Sequence, residues 1–194
     1  MAKVGLFFGT FNPIHIGHLI IANHLVEYSD LEEIWLVVTP QSPFKVKKSL
    51  LSNHHRLDMV YEATKDYPKL KPSNIEFNLP QPNYTTNTMA YLEEKYGDKH
   101  SFNLIMGEDN LKGFHKWKNY EEILKRYHLY VYPRVSEGVI EHQFKDHPKI
   151  QKVSAPIMEI SSTMIRKGHK EGKNIKPLVP ASVWKIIDEM NFYR

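Results

Sequence analysis

A chain of 194 residues, 41% hydrophobic, 25% charged and 12% aromatic, has enough apolar content to bury a full core in one compact domain. It contains no cysteine, which excludes disulfides and thiolate metal sites. No segment approaches the ~18 apolar residues of a membrane helix, and the apolar run at the N-terminus is too short for a secretion signal, so a cytoplasmic location is expected. The formal net charge of +4 is spread along the chain, which suits anionic small molecules better than nucleic acid.

Strand and helix patterns alternate from the first residues. Lys3 to Phe8 reads as a buried strand ending at Gly9, and His18 to Tyr28 as a helix. Glu33 to Val38 is a second strand, stopped by Thr39-Pro40. A loop follows to residue 52, where Ser52 or Asn53 caps a helix reaching about Thr64. Ser73 to Asn78 is expected as a third strand, and Thr86 to Tyr96 as a helix ended by Gly97. Phe102 to Met106 is the fourth strand, Tyr120 to Arg126 a helix, Leu129 to Tyr132 the fifth strand and Ile150 to Val153 the sixth. Helices over Ser161 to Lys167 and Ala181 to Met190 close the chain. This alternation implies an α/β, Rossmann-like doubly wound parallel sheet in a single domain over 1–194, with a short helical portion from about residue 160. Ligands of such sheets bind at the carboxyl ends of the strands, where the winding reverses.

The stretch Gly9-Thr10-Phe11-Asn12-Pro13-Ile14-His15-Ile16-Gly17-His18 joins a strand to a helix. That junction directs backbone N–H groups and the positive helix end at an anion. Gly9 lets a ligand approach the backbone, Pro13 fixes the turn, and His15 and His18 lie on one side of the helix start. Such a pair is suited to donating hydrogen bonds to phosphate oxygens as charge grows on them. A zinc pair would favour i, i+4 spacing, and a Gly-x-Gly-x-x-Gly dinucleotide loop is absent. The stretch resembles the Gly-Thr-Phe-(Asp/Asn)-Pro-x-His-x-Gly-His signature of the nucleotidyltransferase superfamily. Class I aminoacyl-tRNA synthetases share His-Ile-Gly-His, but they are far longer and carry a Lys-Met-Ser-Lys-Ser loop that this chain lacks.

Ile160-Ser161-Ser162-Thr163-Met164-Ile165-Arg166 sets three hydroxyls at a helix start, with Arg166 one turn on. Read alone, this is helix capping; next to an anion, the hydroxyls, N–H groups and guanidinium would converge on phosphate. The run is similar to the Ile-Ser-(Ser/Ala)-Thr-x-Ile-Arg segment of bacterial nicotinate-nucleotide adenylyltransferases. The Arg-Thr-x-Gly-Ile-Ser-Thr-Thr pattern of cytidylyltransferases fits it poorly.

Three middle segments resemble the same family. Asn83-Tyr84-Thr85-Thr86-Asn87-Thr88 is similar to its Ser-Tyr-Thr run, Met106-Gly107-Glu108-Asp109 to its Gly-x-Asp, and Phe114-His115-Lys116-Trp117-Lys118 to its aromatic segment. Capping at Thr85 or Asp109 and a core role for Trp117 are the ordinary readings of these residues. One departure is Ser42-Pro43-Phe44-Lys45, where the family has Pro-Pro-His-(Lys/Arg). Lys45 keeps the cation there, whereas Phe44 loses a polar group.

The resemblance implies an enzyme that moves AMP from ATP to nicotinate mononucleotide, releasing pyrophosphate. His15, His18 and Arg166 are expected to be catalytic. Gly9, Thr10, Phe11, Gly17 and Lys45 are expected to bind ATP, with Gly107, Asp109, Ile160, Ser161, Ser162 and Thr163. Tyr84, Thr85, Trp117 and Lys118 are expected to hold the acceptor. Mg²⁺ would travel on the triphosphate with few or no protein ligands. ATP and a pyridine mononucleotide are the expected partners, without nucleic acid or membrane; a homo-oligomer stays open. The alternatives are nicotinamide mononucleotide or phosphopantetheine as acceptor, or a nucleotide sensor without turnover.

Overall fold

The runs Val4 to Phe8 and Phe102 to Met106 are apolar on both faces save for Asn103, whose amide donates to Val4 O and Ser101 O, and only a strand covered by two layers can bury such a run. In the computed structural model, which describes residues 1–41, 50–134, 143–144 and 146–194, these runs form the two central strands. The sheet comprises β1 (Ala2–Gly9), β2 (Glu33–Val38), β3 (Leu70–Ser73), β4 (His100–Gly107), β5 (Leu129–Tyr132) and β6 (Ile150–Lys152). Its order is β3-β2-β1-β4-β5-β6, and every neighbouring pair is parallel.

Strand alternation splits the core in two. Phe7 and Ile105, register partners on β1 and β4, face α1 (Ile16–Tyr28), α2 (Asn53–Thr64), α6 (Ser162–Lys170) and α7 (Ala181–Glu189) through Leu25, Met59, Ile165 and Ile187. Leu6 and Leu104, also register partners, face α3 (Thr85–Tyr96), α4 (Glu108–Lys112) and α5 (Tyr120–Arg126) through Met89, Leu92, Leu111 and Ile123. The chain winds from β1 outward to β3 and returns beside β1 as β4. The reversal leaves a crevice at the carboxyl ends of β1 and β4, where Gly9 and Gly107 lie. No helix among the described residues is long and apolar enough to cross a membrane.

The expected third strand over Ser73 to Asn78 is corrected. Pairing ends at Ser73, and Ile75–Asn78 form a 3-10 turn. Ser73 Oγ accepts from Ile75 N at 3.4 Å and Asn74 O from Phe77 N at 2.9 Å, so local hydrogen bonds bend the chain away from the sheet. Pro72 is tolerated because β3 is an edge strand. The short helix α4 was not expected; it follows directly on β4, with Glu108 and Asp109 in its first turn, where acidic residues suit the positive end.

Candidate active site

Gly9 ends β1, and a Cβ there would come within 2.8 Å of the Phe11 ring, so glycine is what lets that ring tuck beneath the strand end. Phe11 is buried and sits at φ 45°, the left-handed region that only an over-determined turn holds a bulky residue in. Its ring meets the His18 imidazole edge-on at 5.0 Å, and Phe7 does the same at 5.9 Å. His15 has an extended backbone as the N-cap of α1, and its N–H donates to His18 Nδ1 at 3.2 Å. A neutral His18 therefore carries its proton on Nε2.

The two imidazoles lie on one side, as their spacing predicted, and they stack at 3.6 Å. Burial, with the Arg134 guanidinium adding to it, pushes the His15 pKa down to about 4, so His15 is neutral at neutral pH. A Cβ on Gly17 would stand 3.1 Å from His15 Nδ1, so Gly17 leaves room for that ring.

The serine run is anchored to this loop across 149 to 154 residues. Ser162 Oγ donates to Pro13 O at 2.8 Å, and Arg166 Nη1 donates to Asn12 O at 2.7 Å while Nη2 reaches Thr163 Oγ1 at 3.3 Å. Ser161 caps α6, its Oγ accepting from Met164 N at 3.2 Å. The Ser161 and Ser162 hydroxyls are thus engaged with backbone, and the first-turn N–H groups of α6 become the better anion donors.

A cleft of about 410 Å³ brings these parts together. Gly9, Thr10, Phe11 and Gly17 line it from the loop, beside His15 and His18. Ile160, Ser161, Ser162, Thr163 and Arg166 line it from the other wall, and Asp109 from the start of α4. Gly107 instead lines the neighbouring cavity, where a Cβ would collide with the Asp109 carboxylate. Lys45, with Phe44, lies outside the described residues.

The sequence reading passed over two arginines. Arg134, just beyond β5, lines the cleft, donates to Met158 O at 3.2 Å and stands 3.8 Å from Asp109 Oδ1. Its only local signal is a cation after a strand-ending Pro. Arg56 of α2 is wholly buried. It donates to the carbonyls of Thr10 (2.6 Å), Thr39 (2.9 Å) and Leu51 (3.1 Å) and to Asn53 Oδ1 (2.6 Å), which braces the loop from behind. Burial lowers its pKa to about 10, so it stays charged. Tyr193 adds a further tie, its hydroxyl donating to Asn12 Oδ1 at 2.8 Å.

The second cavity, about 210 Å³, shares Phe7, Phe8, Gly9, Thr10, Asn110 and Tyr132 with the cleft. Tyr84, Thr85, Trp117 and Lys118 all line it. Tyr84 is the N-cap of α3 and Thr85 its first residue, so helical N–H groups lie at its edge. Trp117 is half-buried against Phe114, ring centroids 5.3 Å apart, and Lys118 Nζ lies 4.7 Å from the Tyr84 ring centroid. Buried Asn83 pins this wall: its Nδ2 donates to Glu76 O at 3.2 Å and its Oδ1 accepts from Gln41 N at 3.3 Å. Glu76, also missed from the sequence, lines the cavity because the 3-10 turn folds it inward.

A polar cleft abutting a cavity with several aromatic walls lies at the winding reversal of a nucleotidyltransferase: the chain belongs to the cytidylyltransferase-like family, whose model matches residues 6–168. Nicotinate-nucleotide adenylyltransferases are the branch it falls into. It is 68% identical over 192 residues to the "Probable nicotinate-nucleotide adenylyltransferase" of Christiangramia forsetii, covering 99% of this chain and 98% of that one. Identity to the protein of the same name from Flavobacterium psychrophilum is 60% over 192 residues, covering 99% of each. The solved Plasmodium falciparum nicotinic acid mononucleotide adenylyltransferase complexed with NaAD shares the fold, with a TM-score of 0.84 at 20% identity over 100% of this chain and 98% of that chain.

Proposed function

We propose that this chain transfers AMP from ATP to nicotinate mononucleotide, giving deamido-NAD and pyrophosphate. The observation that carries the reading is the pair of adjoining chambers walled by the end of β1: a polar cleft fit for a triphosphate and an aromatic cavity fit for a pyridine. In the reaction, an oxygen of the acceptor phosphate forms a bond to the α-phosphorus of ATP, and the bond from that phosphorus to the bridging oxygen breaks. The attacking oxygen is already anionic, so no base is needed, and positioning with charge stabilisation carries the rate.

In this reading His18 donates to the phosphate oxygens, and neutral His15, stacked on it, holds it in register and offers a second donor. Arg166 and Arg134 hold the triphosphate from the opposite wall, with Lys45 as a third cation. Thr85 and the α3 N–H groups receive the nicotinate carboxylate, and Trp117 stacks on the pyridine. Asp109 suits ribose hydroxyls. Nucleotidyltransferases generally use a divalent metal, and we take Mg²⁺ as that ion. Mg²⁺ commonly keeps its waters, so it would be carried mainly by phosphate oxygens and water. When bound, it would screen the phosphate charge. The reaction is assigned to the cytoplasm.

The relatives' names favour nicotinate over the other acceptors. Pyrophosphate release with ATP plus each pyridine mononucleotide tests the proposal. Faster turnover with nicotinate mononucleotide is expected, and release only with another acceptor, or with none, would overturn it.

A further inference from the structure

The acceptor cavity contains an electrostatic conflict. Glu76 lines it and is 2% exposed. Thr88 Oγ1 of α3 donates to Glu76 Oε1 at 2.7 Å, whereas Oε2 is buried without a hydrogen bond of normal geometry, the Thr39 hydroxyl being the other donor that bears on this carboxyl. No cation among the described residues pairs with this carboxyl. The reading above places a second carboxylate, that of nicotinate, in the same small, partly apolar space. Two carboxylates so placed cannot both stay ionised without a large cost, and one proton shared between them removes it.

We propose that Glu76 is a specificity-determining residue: its Oε2 bears a proton when nicotinate mononucleotide is bound and donates it to the pyridine carboxylate. The inference rests on the function proposed above. The balance is simple. Where Glu76 is ionised before binding, the acceptor arrives with its carboxylate and one proton is taken from solvent onto Oε2; no covalent bond of the acceptor changes. An uncharged amide in the same place needs no such proton, because its N–H donates to ionised Oε2 directly. Acidic conditions therefore favour the carboxylate acceptor, and alkaline conditions erode that preference.

The surroundings leave Glu76 as the group able to produce this effect. Burial pushes its carboxyl above the usual carboxylate range, partly opposed by the Thr88 and Thr39 hydroxyls, which do not titrate. Tyr84, Tyr132 and Lys118 share the cavity, and His54 of α2 packs on Phe77 beside the turn. Burial pushes Tyr132 up to about 12, beyond the range of the test. Lys118, Tyr84 and His54 stay in place when Glu76 is replaced, so a comparison of Glu76→Gln with the unaltered protein isolates the carboxyl. The acceptor's own phosphate titrates alike in both pyridine mononucleotides and cancels in their ratio.

The experiment measures kcat/KM for nicotinate and for nicotinamide mononucleotide from about pH 6 to about pH 9. In the unaltered protein the nicotinate-to-nicotinamide ratio is expected to fall by up to roughly tenfold per pH unit once Glu76 titrates. In Glu76→Gln the ratio is expected to be flat, since the amide still accepts from Thr88 and donates to the carboxylate at every pH. A flat ratio in the unaltered protein, or an equal slope in both, overturns the inference while leaving the proposed reaction intact. Turnover of some other acceptor, with nicotinate mononucleotide inert at every pH, overturns the reaction instead. Should Glu76→Gln fail to fold, calorimetric binding in two buffers of different ionisation enthalpy decides: near pH 8 about one more proton taken up with nicotinate than with nicotinamide mononucleotide supports the role. Equal uptake refutes it.

Discussion

The two chambers on either side of the β1 end are built by opposite means. The phosphate cleft is drawn together over long chain separations, with Arg166, Ser162, Tyr193 and Arg56 each hydrogen-bonded to the loop over residues 10–13. The second cavity is closed by the ends of β1 and β4, the turn at 75–78, the start of α3 and the segment after α4, and its lining mixes aromatic and aliphatic side chains with a few polar ones. In the proposed reaction the cleft gathers cations and donors for a charge that changes, and the cavity sets shape and one polar match for a group that does not react. Losses in the first should therefore fall on kcat, and losses in the second on KM for one substrate.

Substitutions can break that contrast. His18→Ala removes a donor where charge develops, and kcat should fall by roughly 10²-fold or more with the fold intact; a near-normal rate would show that the ring is only packing. Trp117→Ala should raise KM for the pyridine nucleotide by about three- to tenfold, the scale of one aromatic contact, with KM for ATP little changed. Equal shifts in both constants would merge the chambers. Tyr193→Phe removes a single hydrogen bond to Asn12 and should cost about 1 kcal/mol, divided between stability and kcat; an unchanged melting temperature and unchanged kcat would dismiss the tie.

The last effect concerns pH and is read on stability rather than on rate. His15 titrates at about 4 in the fold and near 6.5 when unfolded, so the unfolded chain holds the extra proton between those values. The stability it contributes is complete above the unfolded value and is lost as pH falls toward about 4, up to roughly 3 kcal/mol over the whole window. Denaturant midpoints at neutral pH and near pH 5 should therefore lie further apart in the unaltered protein than in His15→Asn. Identical gaps would return His15 to an ordinary exposed titration.

Local signals in the chain carried much of this. The bounds of β2 and of α5 are those the apolar patterns predicted, and Ser52 caps α2 as a Ser before a helical run should. That His15 and His18 lie on one side was legible from their spacing, whereas their stacking needed the extended N-cap backbone of His15. The turn at Glu76 was hidden because Ile75 and Phe77 give the alternation of a strand, while the competing bond that Ile75 N–H donates to Ser73 Oγ leaves no period. Arg56 was hidden for a different reason: four of its bonds go to backbone carbonyls and an amide, and no sequence pattern marks a carbonyl as a partner. Arg134 needed the sheet order itself, which sets the end of β5 beside that of β4.

Gly9 and Thr10 border both chambers. They act as a party wall, so any shift of that strand end is felt by both occupants at once. If seating one nucleotide stiffens or displaces the wall, the other must bind with altered affinity, and linkage makes the influence equal in both directions. A side chain introduced at Gly9 would therefore be expected to disturb ATP and acceptor together.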